Sequence, residues 1–150
     1  MNISLDLLKR LRGETKAGVS DCRQALEDAG GDYAKAKKLV MERAVMKAEK
    51  KADKDTSQGI VEAYVHNGKV GVLVELRCET DFVAMNADFK HLAHEIALQV
   101  AAMNPKNTKE LLAGPYIRDA GTTIEALVKQ TVAKVGENIT IGNFTRMALT

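Results

Sequence analysis

The sequence has no tryptophan, three tyrosines, three phenylalanines, two prolines and two cysteines among 150 residues. With so few aromatic side chains the core must be mainly aliphatic, and any exposed aromatic side chain would point to binding. Cys22 and Cys78 stand singly and far apart, which fits reduced thiols in small apolar positions. A disulfide framework and a cysteine-based metal site are therefore both disfavoured.

The sequence also lacks an excess of charge of one sign and any long apolar run. Its 22 basic and 20 acidic residues give a net charge of +2, so binding of nucleic acid by bulk charge is not expected. Nowhere do eighteen apolar residues run together, and the segment 1–12 has no apolar core or cleavage site typical of a signal peptide. We therefore expect a cytoplasmic protein with no membrane association.

Motifs for covalent or nucleotide chemistry are missing as well. Gly68-Lys69 lacks the loop and the following Ser or Thr that a P-loop needs to hold phosphates. His91, His94 and Glu95 do not have the spacing of a zinc-binding helix, and none of the three serines lies in a nucleophile elbow. The sequence thus predicts a protein that is not an enzyme and that holds no metal or cofactor.

The first third of the chain has the pattern of three short helices. The predicted first helix follows a possible N-cap at Ser4 and ends at Gly13, the second ends at Gly30-Gly31, and Asp32 caps the third. The apolar residues that set their spacing are Leu5, Leu8, Leu11, Val19, Cys22, Leu26, Ala29, Tyr33, Ala36, Val40 and Ala44. We predict a small helical module over 1–46, followed by a charged linker over 47–57.

The remaining residues, 58–150, change from helical spacing to alternation and back. Apolar residues alternate over 58–78 on both sides of Asn67-Gly68, which predicts a β-hairpin. Helical spacing then recurs from Phe89 to Val100 after an N-cap at Asn86, and again from Ile124 to Val135. The Ile- and Thr-rich tail is typical of a closing strand. The prediction is an α+β fold, with a single core domain in which a small antiparallel sheet packs with helices.

The segment between hairpin and helix, Cys78 to Asn86, reads CETDFVAMN and is unusually apolar for a connection. Connections normally run over the surface and are polar, yet this one carries Phe82 and Val83 side by side. One interpretation is an exposed binding tip. The other, equally supported by the pattern, is that Phe82 folds back as a cap on the small sheet.

Three blocks of the sequence resemble the elongation factor Ts family. They are residues 11–26, reading LRGETKAGVSDCRQAL, residues 79–86, reading ETDFVAMN, and residues 136–139, reading GENI. The resemblance spans nearly the whole chain. It implies an N-terminal three-helix module similar to ubiquitin-associated domains, followed by the α+β core. Lys16 and Ser20 stand where the family often has glycine and methionine, and Gly142-Asn143 where basic residues are common.

The resemblance also implies a function, that of a guanine nucleotide exchange factor for elongation factor Tu. By motif position, Thr80, Asp81, Phe82 and Val83 would form a wedge that reaches toward the magnesium site of the GDP-bound partner and promotes GDP release. Residues of the helical module would dock on the same partner, which the factor binds both with GDP and without nucleotide: Arg12, Thr15, Ala17, Gly18, Val19 and Asp21. Short members of the family pair as homodimers, so the resemblance allows a homodimer here and leaves monomer and homodimer both open.

Two other functions remain open on the residues alone. An RNA- or ribosome-binding module could use Arg10, Arg12, Lys16, Arg23 and the lysines of 47–54, and its binding would fall steeply with salt. Against it, no aromatic residue is interleaved there to stack on bases. Alternatively, the helical module could recognise a different protein, with the core as scaffold, and Phe82 would then have no role.

Overall fold

The computed structural model of the protein describes residues 2–150 and has an α+β fold. Three helices come first, and an antiparallel sheet with further helices follows, as the sequence predicts. In chain order the elements are α1 (Leu5–Thr15), α2 (Val19–Asp28), α3 (Tyr33–Lys50), β1 (Gln58–His66), β2 (Val70–Cys78), α4 (Asp81–Ala84), α5 (Ala87–Met103), α6 (Thr108–Ala113), β3 (Pro115–Tyr116), β4 (Asp119–Thr123), α7 (Ile124–Val135) and β5 (Ile139–Ala148).

The N-terminal helices enclose a small apolar core. Its buried members are Leu8, Leu11, Cys22, Ala25, Leu26, Ala36 and Val40. Two details differ from the sequence prediction. The Ser4 side chain makes no capping hydrogen bond, and α1 continues past Gly13 to Thr15 and ends at Lys16, which adopts the left-handed conformation. Gly13 is tolerated there because a single glycine weakens a helix without breaking it.

Helix α3 joins this module to the rest of the molecule. It runs to Lys50, so the first residues of the expected linker at 47–57 are helical, and Ala48 is buried in the apolar core of the second part. The Lys129 ammonium on α7 lies 3.2 Å from the Glu49 carboxylate on α3. Apolar burial and an ion pair thus both join α3 to the core domain.

The main sheet has the strand order β1-β2-β5 and is antiparallel throughout. Its inner face packs on α5, which is buried along most of its length from Phe89 to Val100. The predicted hairpin, the N-cap at Asn86, both long helices and the closing strand are confirmed. The short elements α4, α6, β3 and β4 were not predicted, because segments of two to six residues carry too little periodicity.

The alternation in β1 has an unexpected orientation. Ile60, Glu62 and Tyr64 face the helices, whereas Val61 and Val65 lie on the outer face and are exposed. Because paired residues of an antiparallel sheet share a face, Leu73 opposite Ala63 and Met147 opposite Gly71 lie on that outer face too. The sheet therefore has an apolar outer face, made of Val61, Val65, Leu73 and Met147.

Candidate functional site

The segment predicted as a binding tip forms one short helical turn, α4, between β2 and α5. The Thr80 hydroxyl caps this turn by accepting a hydrogen bond from the Val83 backbone N–H at 3.3 Å. Phe82 is 85% exposed, whereas Val83 is partly buried against the core. The structure thus rules out a Phe82 cap on the sheet, because the side chain points to solvent.

A second apolar side chain stands beside Phe82. Met85 ends the same turn and is 74% exposed. Residues three apart lie on one face of a helical turn, so Phe82 and Met85 form a common exposed apolar patch. The sequence analysis missed Met85, although its spacing from Phe82 would have indicated it once a helical turn was assumed.

The base of the tip is held by polar contacts from the far end of the chain. The Glu137 carboxylate accepts hydrogen bonds from the backbone N–H of Thr80 at 2.9 Å and from the Thr80 hydroxyl at 2.7 Å. The Cys78 thiol donates to the Thr80 carbonyl oxygen at 3.1 Å. Burial raises the pKa of Cys78, and neighbouring carboxylates, Glu137 first among them, raise it further. The thiol therefore keeps its proton and serves as a donor.

The docking residues implied by the resemblance lie around the turn between α1 and α2, and their exposure differs. Arg12, Gly18 and Val19 are exposed. Thr15 is buried and its hydroxyl donates to the Leu11 carbonyl oxygen at 2.7 Å. The remaining two, Ala17 and Asp21, are partly buried. The side chains available to a partner at this turn are therefore chiefly those of Arg12 and Val19, together with the bare backbone of Gly18.

Several basic side chains of the helical module are paired with acids. Lys47 lies 2.6 Å from the Asp21 carboxylate, and Arg43 lies 2.5 Å from that of Asp28. Arg10 pairs with Glu14 at 3.1 Å and also stacks over the Tyr33 ring, 4.2 Å from its centroid. Paired charges present less positive potential to a phosphate backbone. Of the basic residues in the RNA-binding alternative, this applies to Arg10 and Lys47.

The histidines near the middle of α5 take part in local contacts. Glu95, on the same helix, is buried and accepts a hydrogen bond from Arg118 at 2.9 Å, while His91 lies 3.5 Å from it. His94 packs edge-on against the Tyr64 ring. Within residues 2–150 no group of three His, Cys, Asp or Glu side chains is arranged to hold a metal ion, and no helix is long and apolar enough to span a membrane.

Comparison with known proteins agrees with the resemblance seen in the sequence blocks. The family model described as "Elongation factor TS" matches residues 79–149, which include the tip and Glu137. Similar proteins named "Elongation factor Ts" occur in Coprothermobacter proteolyticus, at 40% identity over 99% of this chain and 99% of the relative, and in Thermotoga petrophila, at 38% identity over 97% and 96%. The relative in Rippkaea orientalis is 37% identical over 98% of this chain and 78% of its own length.

The alignments also show a difference in length. They run over 190 to 195 positions, whereas this chain has 150 residues. Because nearly the whole chain is aligned, the relatives carry additional residues inside the matched region. The tip and the segment holding its base are nevertheless both present here.

Proposed function

The chain belongs to the elongation factor Ts family and is thus a translation elongation factor, and on that premise we propose that it promotes GDP release from elongation factor Tu. The observation that carries this proposal is the exposure of Phe82 on a turn whose base is fixed. Most phenylalanine side chains are buried, whereas this one is held in solvent. Covering it with a partner surface would therefore contribute favourably to the free energy of binding. The proposed place of action is the cytoplasm, where translation factors work.

The proposed wedge consists of Thr80, Asp81, Phe82 and Val83, with distinct roles that follow from their positions. Phe82, together with Met85, would enter an apolar pocket of the partner. Asp81 is exposed and free to contact polar groups there. Thr80 and Val83 would hold the turn, since Thr80 caps it and Val83 packs on the core. The wedge would thus insert the apolar patch of Phe82 and Met85, supported by a fixed base.

The mechanism requires no covalent step. If the factor binds nucleotide-free elongation factor Tu more tightly than the GDP complex, reciprocity requires that it weaken GDP binding by the same ratio. Displacing the groups that hold Mg²⁺ would remove much of the charge compensation of the phosphates, so GDP would leave faster. Binding of GTP to elongation factor Tu would in turn weaken the binding of the factor. The factor would then dissociate chemically unchanged.

The turn between α1 and α2 is the proposed second contact with the partner. Arg12 and Val19 are exposed there. Asp21, in the first turn of α2, forms an ion pair with Lys47 of α3. Two contacts on one rigid body would act together, because the second forms at the high effective concentration set by the first. The helical module would then supply affinity, while the tip supplies the disturbance of the nucleotide site.

The direct test is the release rate of a fluorescent GDP analogue from elongation factor Tu in the presence of excess unlabelled GDP. The proposal expects a rate that rises and saturates as the factor is added. If the folded factor gives no acceleration at concentrations well above that of elongation factor Tu, exchange is not its function. Titration with salt in the presence of RNA alone would then test the nucleic-acid alternative.

We also propose that two copies associate through the outer face of the sheet. Antiparallel sheets with one solvated face usually carry polar residues on it, yet here Val61, Val65, Leu73 and Met147 are exposed. At one end of this face Glu75 and Arg77 pair with each other. Two identical faces can therefore pack sheet on sheet around a two-fold axis. The charges of Glu75 and Arg77 already neutralise each other within each copy.

A further inference from the structure

Two residues that follow α7, Glu137 and Asn138, contact the base of the tip and are not among the residues proposed to touch the partner. We propose that they are positioning residues. Glu137 would fix the orientation of the Phe82 turn, and Asn138 would tie that turn to the segment that follows the helical module. This inference rests on the proposed exchange function for its consequence, although the hydrogen bonds that carry it are independent of any partner.

Glu137 satisfies three donors at the point where β2 ends. One carboxylate oxygen accepts from the backbone N–H groups of Glu79 and Thr80, at 3.2 and 2.9 Å, and the other accepts from the Thr80 hydroxyl at 2.7 Å. A hydroxyl has one proton, so donation to Glu137 leaves its lone pairs for the Val83 N–H. The carboxylate thereby sets both the direction of the chain at Thr80 and the cap of α4.

The contact is reciprocal. The Glu79 carboxylate accepts from the backbone N–H of Asn138 at 2.8 Å, so residues 79–80 and 137–138 each supply an acceptor to the other's backbone. Hydrogen bonds to a carboxylate are shorter and stronger than those between neutral groups. Four of them between two short segments leave the base of the tip little freedom to move relative to α7 and β5.

Asn138 extends this network to the helical module. Its side-chain amide donates to the carbonyl oxygens of Ala52, at 3.3 Å, and Lys54, at 2.8 Å, and the residue is buried. Residues 52–54 directly follow α3, the helix that carries the module. Asn138 therefore contacts the base of the tip through its backbone N–H and the segment after α3 through its side chain. In this way it connects the tip to the helical module.

The consequence is preorganisation of the two proposed contacts with elongation factor Tu. A tip that moved freely would have to be ordered on binding, and that cost would reduce the free energy available to disturb the nucleotide site. Glu137 is only partly buried, and its carboxylate accepts hydrogen bonds from Glu79 and Thr80 at the base of the tip. Its removal should therefore disturb the tip more than it disturbs the fold.

The experiment compares Glu137→Ala, Glu137→Gln and the matched control Glu125→Ala, an exposed acid on α7 that pairs with Lys129. We expect Glu137→Ala to lower the maximum rate of GDP release by about tenfold or more, since small misplacements of a group that must fit a site are costly. Glu137→Gln should stay within about threefold, because its amide oxygen still accepts from both backbone N–H groups. Glu125→Ala should behave as the unaltered protein.

Two further measurements separate positioning from a general structural role. In the Phe82→Ala background, Glu137→Ala should cause a smaller loss of exchange than in the unaltered protein, because it acts mainly through the Phe82 side chain. In the isolated protein, Glu137→Ala should speed hydrogen exchange at the amides of Glu79 and Thr80 while the amides of α5 keep their protection. Equal losses in both backgrounds, or unchanged amide exchange at Thr80, would overturn the assignment of Glu137.

Asn138→Ala tests the second half of the proposal. It should speed amide exchange in residues 52–54 and raise the half-saturating concentration of the factor about threefold or more, with the maximum rate changed by less than about twofold. A fall in the maximum rate alone would contradict the link to the module. If the unaltered protein fails to accelerate GDP release, the proposed function fails, and the amide-exchange results still decide whether Glu137 and Asn138 hold the tip.

Discussion

Phe82 and Phe89 lie seven residues apart in the chain, yet the Phe82 ring is 85% exposed and the Phe89 ring is completely buried. Phe89 is in the first turn of α5 and packs against the sheet, whereas Phe82 projects from α4. The two rings therefore offer matched substitutions, one on the proposed contact surface and one in the core.

Phe82→Ala should reduce exchange and leave the fold intact. Truncating an aromatic anchor of an interface costs roughly 2 kcal/mol or more, which corresponds to about 30-fold weaker action on elongation factor Tu. Phe89→Ala should instead destabilise the protein by about 3–5 kcal/mol. The release rate of a fluorescent GDP analogue and the thermal unfolding midpoint, measured on both variants, distinguish loss of exchange from loss of stability. A large loss of thermal stability in Phe82→Ala would show that the ring is part of the core.

Substitution in the centre of the outer sheet face should weaken self-association. Leu73 lies on the middle strand and is half exposed, so Leu73→Glu keeps the fold but places a charge in each copy of the proposed interface. We expect its dimer dissociation constant to rise by at least about tenfold in sedimentation measurements. The matched control is Met103→Glu at the end of α5. Monomeric behaviour of the unaltered protein at micromolar concentration would refute the dimer.

Gly59 should be intolerant of a side chain. It has a φ of 155°, and a Cβ there would collide with the Leu76 carbonyl oxygen on the neighbouring strand. Gly59→Ala should therefore cost more than about 1 kcal/mol of unfolding free energy. Gly71, in the same hairpin, has open space around it, and Gly71→Ala is the control, with a change within about 1 kcal/mol. Urea unfolding of the two variants compares them, and equal midpoints would contradict the clash.

Lys16 stands at the left-handed position that ends α1, with a φ of 59°, and its N–H donates to the Arg12 carbonyl oxygen at 2.8 Å. A residue with a Cβ pays about 1–2 kcal/mol for this conformation. Lys16→Gly should thus stabilise the protein by about 0.5–1 kcal/mol after the greater flexibility of glycine in the unfolded chain is included. Lys9→Gly, inside α1, should destabilise it by about 1 kcal/mol. Urea midpoints that shift in the same direction would refute this.

The pKa of the Glu14 carboxyl should lie well below that of an ordinary glutamate. Tyr33, Lys37 and Arg10 surround this carboxylate and together lower its pKa from 4.5 to about 2. Lys37 and Arg10 each lie 3.1 Å from the carboxylate, whereas the Tyr33 hydroxyl has no partner in hydrogen-bond geometry within residues 2–150. We therefore attribute the lowered pKa chiefly to the two cations.

A pKa that is lower in the folded state stabilises that state above about pH 4.5, and the contribution is lost as the pH falls toward 2. Titration of the carboxyl carbon signal of Glu14 by NMR measures this directly. Lys37→Ala should move the Glu14 pKa upward toward 4.5, and the control Lys38→Ala, at an exposed neighbouring lysine, should leave it in place. An unshifted Glu14 pKa in the unaltered protein would contradict the arrangement.

Part of the fold could be predicted because the signals were local. The alternation on both sides of Asn67-Gly68 predicts the hairpin, and the helical spacing from Phe89 to Val100 predicts α5, which are both confirmed. The orientation of β1 was not evident, since Val61 and Val65 are more apolar than Glu62 and yet lie outside. Which face of a strand is buried depends on what packs against it, and α5 comes from further along the chain.

The amino-acid sequence by itself determined the α+β class, the three helices of the module and the family, because periodicity, turn residues and motif blocks are properties of neighbouring residues. The tertiary structure alone decided that Phe82 is exposed and that Glu137 and Asn138 hold the base of the tip. The hydrogen bonds of Glu137 and Asn138 join residues that lie 57 to 86 positions apart in the chain. Such distances are set by how helices and sheet pack together, which no local pattern records.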